Sequence, residues 1–332
     1  MPRTDWPDMS CSSLSGLFAL VILLSGCAST PQLDRLLAQP PSALPSKAEL
    51  ADVPFIPQGE NDCGPAALAT LLQAQGRAVG KEELTQKLYL PGRQGSLQIE
   101  MDATARSFAL VVYPLAPDID AVLEEVAAGN PVLVFQNLGL SWYPRWHYAV
   151  VVGYDLPARE IILRSGTIRR HVISLSTFVQ TWQRANRWAR VILPPGKIPA
   201  TARPLDYIRA VNVLETGGHA DAAAQAYRAA ARRWPRDRNV LQVWGNSEFE
   251  QGAFMDAESA FRRAIEVSPR TASAWNNLAY VLIARQCGQR AREAIACARK
   301  LAPDDKNILA SEQEIKKSKN SRKGCAAVKC PL

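Results

Sequence analysis

The segment PQGENDCGPAAL, residues 57–68, places one cysteine at the mouth of an apolar run. Pro65 suits a first helical turn, where its missing N–H costs nothing, so Cys63 is predicted at a helix N-terminus. The partial positive charge there lowers a thiol's pKa and favours the nucleophilic thiolate. Gly64 lets a substrate backbone approach closely. Gln58 can lie beside the sulfur and offer its side-chain amide, with the Cys63 N–H, to a developing oxyanion. A thiol nucleophile also needs a base. His147 opens the apolar stretch HYAVVVGYD, beside Trp142, Tyr143 and Trp146. The other two histidines fit less well: His171 lies in a basic stretch, and His219 in a turn.

A histidine base is usually held by a third group. Asp155 is eight residues beyond His147 on the same predicted strand, roughly 26 Å away at about 3.3 Å per residue. That is too far to orient the ring. If 147–154 and 160–166 form a hairpin around Leu156–Arg159, the residue facing His147 is near Ser165. The orienting group is then Ser165 or a backbone carbonyl. A neutral orienter fixes the tautomer but stabilises imidazolium less than a carboxylate does, so weaker or more selective hydrolysis is expected.

QGENDCGPAALATLL followed by HYAVVVGYD resembles the papain-like bacteriocin-processing peptidases, also called double-glycine leader peptidases. The resemblance covers residues 53–193 and implies Cys63 as nucleophile, His147 as general base and Gln58 as oxyanion donor. The family usually carries an aspartate, followed by proline, on the strand after the histidine strand; this chain has LRSG there. It also lacks the ATP-binding P-loop of transporter-linked members, which leaves the double-glycine preference without support.

The elements that must position these residues follow from periodicity. Helices are predicted at 64–75, 81–88, 96–107, 118–128 and 174–184. Strands are predicted at 110–113, 131–136, 147–154, 160–164, 167–172 and 188–193. Helices first and an antiparallel sheet second is an α+β order, here a papain-like peptidase domain over 53–195. A Pro-rich linker, 196–203, leads to an internal repeat: Pro235, Pro269 and Pro303 recur every 34 residues. Ala223, Ala257 and Ala291 keep that register, as do Ala230, Ala264 and Ala298. Tyr227, Phe261 and Ile295 hold the large apolar position between them. This pattern resembles the tetratricopeptide repeat and implies an all-α domain of three repeats over 204–305 that docks a protein partner or substrate.

The N-terminus reads as an address. An apolar run, Leu17 to Leu24, is too short for a spanning helix and ends in Ser25-Gly26-Cys27. LSGC resembles the lipobox of bacterial lipoproteins, which implies a signal peptide over 1–26 and lipidation of Cys27. Ala28 after the cysteine implies the outer membrane, with the protein facing the periplasm. Residues 27–52 are expected as a tether and 306–332 as a basic tail. Of the 7 cysteines, Cys287, Cys297, Cys325 and Cys330 remain as an even set suited to two disulfides, with pairing open. No CxxC or Cys/His cluster is present, so no metal or other cofactor is expected. The net charge of +8 collects partly in the last residues without a basic face interleaved with aromatics, so no nucleic-acid partner is expected. Two alternatives remain: a peptidase-like binding scaffold with little or no activity, and a cell-wall peptide hydrolase or acyltransferase on the same fold.

Overall fold

A computed structural model describes residues 30–59, 61–90, 92, 95–317 and 324–330. The segment expected as a signal peptide, 1–26, and Cys27 lie outside the described residues. Among the described residues, the first domain is built on one antiparallel sheet of seven strands. These are β1 (Lys47–Glu49), β2 (Val111–Pro114), β3 (Val132–Asn137), β4 (Trp146–Asp155), β5 (Glu160–Ser165), β6 (Ile168–Ser174) and β7 (Ala189–Leu193). The order is β2-β7-β3-β4-β5-β6, and β1 pairs with β4 alone. β1 occupies the far end of β4, at Gly153–Asp155, beyond the stretch that β3 covers.

Alternation along the strands gives the sheet two apolar faces. Leu133, Tyr148, Val150, Val152 and Ile192 face one core with α2 (Cys63–Ala74), α3 (Lys81–Leu88) and α4 (Gln98–Ser107). Val132, Val134, Ala149, Val151 and Val191 face a second core with α5 (Ile119–Ala127) and α6 (Leu175–Gln183). Two cores on one sheet fix its register, because a one-residue slip would exchange every side chain between them.

The region expected as a tether is partly folded. α1 (Pro31–Ala38) buries Leu33 and Leu36, and β1 extends the sheet. Both are held by distant parts of the chain: Arg35 pairs with Asp118 and Asp120, and Glu49 with Arg170. Nor is 196–203 a loose connector. The buried Glu125 carboxylate accepts the Ala200 and Thr201 amides and the Thr201 hydroxyl.

The second domain is helical. α7 (Pro204–Thr216) to α12 (Gly288–Leu301) form three antiparallel pairs: α7 with α8 (Ala220–Arg233), α9 (Arg238–Glu250) with α10 (Phe254–Val267), and α11 (Ala272–Ala284) with α12. The alanines in 34-residue register are buried where helices touch. Gly245 is required by close approach, since a Cβ there would lie 2.7 Å from the Phe261 ring. Tyr207 of α7 packs against Tyr113 of β2, so the second core of the sheet runs on into the first repeat.

The described parts of the tail expected over 306–332 are also structured. Lys306–Lys317 forms α13, which buries Ile308, Ser311 and Ile315 against the last repeat. Residues 324–330 are fastened by disulfides Cys287–Cys325 and Cys297–Cys330. The lysines and arginines conceal an amphipathic helix whose apolar face completes the end of the stack.

Candidate active site

The site forms where β5 stops. β5 pairs with β4 only from Val150 onward, so the edge of β4 at Tyr148 is open to other partners. Gln58 takes the carbonyl there, donating from Nε2 to Tyr148 O at 3.1 Å. Its own position is fixed by the β5–β6 turn: the Gly166 amide donates to Gln58 Oε1 at 2.7 Å, and the Gln58 amide donates to Gly166 O at 2.9 Å. Gln58 Nε2 also lies 3.5 Å from Cys63 O, a weak contact that leaves one N–H loosely held.

Cys63 is the first residue of α2, as its neighbours predict. Asp62 precedes it but caps no helix amide. It accepts from the Gly59 amide and pairs with Lys81 Nζ at 2.8 Å. Lys81 also donates to Pro57 O. Together these bonds hold the 57–63 segment against α3. Among the described residues Cys63 is the only free cysteine.

The thiol's electrostatics differ from the sequence expectation. Burial pushes the Cys63 pKa up and outweighs the backbone amides of Tyr148, Gly64 and Cys63, which pull it down; the Asp62 carboxylate adds to the rise. A helix N-terminus helps a thiolate, but this one is drawn too far from water for that help to win.

His147 is the second residue of β4 and is half-buried. Its Nε2 lies 2.8 Å from Ser165 Oγ. Burial, followed by the nearby His171 and Arg145, lowers its pKa from the usual 6.5 to about 4. At neutral pH both the thiol and the imidazole are therefore neutral. Asp155 stands at the other end of β4, bound to Lys47 and the Ala158 amide.

Gln58 and Cys63 thus converge on the Tyr148 peptide group, while His147 and Ser165 form a second pair one residue earlier on β4. The His147–Tyr148 peptide bond joins the two. Sequence reasoning missed Tyr148, Gly166 and Lys81. Tyr148 and Gly166 act through their backbones, which carry no residue-type signal. The charged Lys81 opening α3 is the one clue the sequence held. Trp142, Tyr143 and Trp146 are exposed and stand outside the core.

No group of three or more His, Cys, Asp or Glu that could hold a metal ion exists among the described residues. No helix among them is long and apolar enough to cross a membrane.

Residues 50–189 match the Peptidase_C39 like family, and residues 243–306 match the tetratricopeptide repeat. Among solved structures, a putative C39-like peptidase from Bacillus anthracis is similar at 19% identity and a TM-score of 0.38, covering 46% of this chain and 98% of that one. The Arabidopsis OM64 TPR domain is similar at 16% identity and a TM-score of 0.32, covering 34% of this chain and 94% of that one. The first TPR of Spaghetti (RPAP3), bound to an HSP90 peptide, is similar at 18% identity and a TM-score of 0.32, covering 34% of this chain and 90% of that one. No curated protein matches the chain. The chain therefore carries a C39-peptidase-like domain over residues 50–189, followed by tetratricopeptide repeats of the kind that generally bind peptides or proteins.

Proposed function

We propose that the protein is a cysteine peptidase in which Cys63 is the nucleophile and His147 the general base. The observation that carries this reading is the His147 Nε2–Ser165 Oγ bond of 2.8 Å. It commits one ring nitrogen to an orienting group and leaves Nδ1 to take the thiol's proton. Cys63 Sγ attacks the scissile carbonyl as its proton passes to Nδ1, and the Cys63 amide and the loosely held Gln58 N–H receive the oxyanion. The C–N bond then breaks, the imidazolium protonates the leaving amine, and a thioester remains. Water attacks that thioester, giving its proton to His147 and restoring the thiol as the acid departs.

Because thiol and imidazole are both neutral, proton transfer accompanies attack, and no ion pair waits in the resting site. The same neutrality, with Ser165 where the family usually has aspartate, favours a second reading: the domain binds peptides and hydrolyses them slowly or not at all. Iodoacetamide labelling and peptide hydrolysis by the full chain separate the two. Cys63→Ala is expected to abolish labelling of the free thiol and to lower hydrolysis at least about a thousandfold. Hydrolysis persisting at the wild-type rate in Cys63→Ala overturns the first reading.

We further propose that the protein is anchored through lipidated Cys27 at the outer membrane and works in the periplasm, with the repeat domain docking a protein partner or substrate. The LSGC motif supports the anchor. The two disulfides of the repeat domain support an oxidising compartment. Metabolic labelling with an alkyne fatty acid tests the anchor; labelling that survives Cys27→Ser sinks it.

A further inference from the structure

The β3–β4 loop, residues 138–145, runs directly into His147 and presents apolar side chains to water. Trp142 is 81% exposed, Tyr143 68% and Trp146, at the start of β4, 52%. Leu138 and Leu140 are exposed beside them. So dense an apolar surface on a folded domain marks a contact site.

This loop is also rigidly built. Asn137, 2% exposed, accepts the Gly139 and Arg145 amides at Oδ1 and donates from Nδ2 to Leu140 O. Arg184 donates twice to Asn137 O. The Leu138 amide donates to Arg145 O, and Leu140 and Tyr143 exchange backbone hydrogen bonds. Any side chain at Gly139 would run into the Tyr143 carbonyl. Trp146 stacks on Phe135 at 5.3 Å, and Phe135 in turn packs on Tyr148 at 4.5 Å, whose backbone meets Gln58 and Cys63. Aromatic rings on a preordered frame bind with little entropy left to lose.

We propose that this loop is the substrate-recognition element of the Cys63 site, and that it accepts a peptide carrying aromatic or long aliphatic side chains near the scissile bond. The inference rests on the peptidase reading for the word substrate; the recognition itself requires only a peptide. Two observations favour a peptide over a bilayer. The loop LGLSWYPR has a single cation, Arg145, whereas adsorption to anionic lipid draws on a cluster of several basic residues. Thr30, the first described residue, lines a cavity with Ala158 and Glu160, at the opposite end of β4 from the loop. A membrane reached through the N-terminus therefore lies toward the other end of the sheet.

The test uses full-length Cys63→Ala protein and two fluorescein-labelled decapeptides of equal charge, one rich in Phe and Leu, the other in Gly and Ser. The apolar peptide is expected to bind at least tenfold more tightly by fluorescence anisotropy, and the double change Trp142→Ser with Tyr143→Ser to remove that preference. Equal affinity for the two peptides overturns the proposal, as does a preference that survives the double change. So does retention on phosphatidylglycerol–phosphatidylethanolamine vesicles, lost with the double change, when no peptide preference exists. Iodoacetamide labelling of Cys63 in the wild-type chain reports separately on the nucleophile. Peptide preference with an unreactive thiol upholds the recognition element and refutes the peptidase.

Discussion

The repeat domain and the candidate site treat buried polar groups in opposite ways. In the repeats, each buried carboxylate meets cations or donors. Glu248, fully buried, receives Arg228 at 2.6 Å and the Trp244 indole at 2.8 Å. Glu258, 4% exposed, receives Arg262 and Arg285. At the candidate site, Cys63 and His147 are withdrawn from water, and burial is the largest influence on each. Their pKa values move apart, the thiol up and the imidazole down. Groups that serve the fold are compensated where they stand. The site keeps groups whose charged states are disfavoured until something binds, as expected of titratable groups held for chemistry.

The contrast can be broken first in the repeats. Arg228→Met leaves the buried Glu248 carboxylate with only the Trp244 indole, and leaving a buried polar group short of its partner costs about 1–3 kcal/mol. Thermal unfolding of the repeat domain is expected to fall by several degrees, with iodoacetamide labelling of Cys63 unchanged. An unaltered melting temperature would mean the pair contributes nothing, and the contrast with the site would disappear.

The second prediction concerns His147 and pH. Its folded pKa is about 4 against a usual 6.5, so between these values the unfolded chain binds a proton that the folded chain does not. The stability linked to this group is complete above pH 6.5 and is lost as pH falls toward 4. The loss amounts to about 3 kcal/mol, at about 1.4 kcal/mol per pKa unit. Urea denaturation of wild type and His147→Gln at pH 7, 5.5 and 4 should therefore converge or cross in that window, because the variant lacks this dependence. Parallel stabilities across the three pH values would mean the imidazole is not held neutral.

Much of the site was legible because its signals are local. Gly64 and Pro65 mark Cys63 as a helix start, and the valine run marks His147 as a strand start. Ser165 was named from a hairpin count that the ladder does not follow: pairing runs from Asp155↔Glu160 to Val150↔Arg164, whose continuation sets Ser165 opposite Ala149, so it meets His147 diagonally and not as a ladder partner. The sheet and the three repeats were legible for the same reason, through period 2 and period 34. What escaped depends on distant partners. β1 is three residues long and exists only because Gly153–Asp155 offers an edge. Gln58 is fixed by the backbone of Gly166. The raised thiol pKa reflects burial by the whole domain, against a helix terminus whose local signal points the other way.

The smallest expected effect tests Ser165 itself. Ser165→Ala removes the imidazole's hydrogen bond to Ser165, worth about 1 kcal/mol, and should lower peptide hydrolysis roughly tenfold. Ser165→Asp goes further in the other direction. A carboxylate at that position would stabilise imidazolium, raise the His147 pKa from about 4, and through the charged ring favour the thiolate. Labelling of Cys63 by iodoacetamide between pH 5 and 8 should then run about tenfold faster than in wild type, one decade for each 1.4 kcal/mol gained by the ion pair. If neither change alters labelling or hydrolysis, Ser165 is a neighbour of His147 and not its orienter, and the site's neutrality has another source. If only Ser165→Asp is active, the wild-type domain is a binding module one carboxylate short of a peptidase.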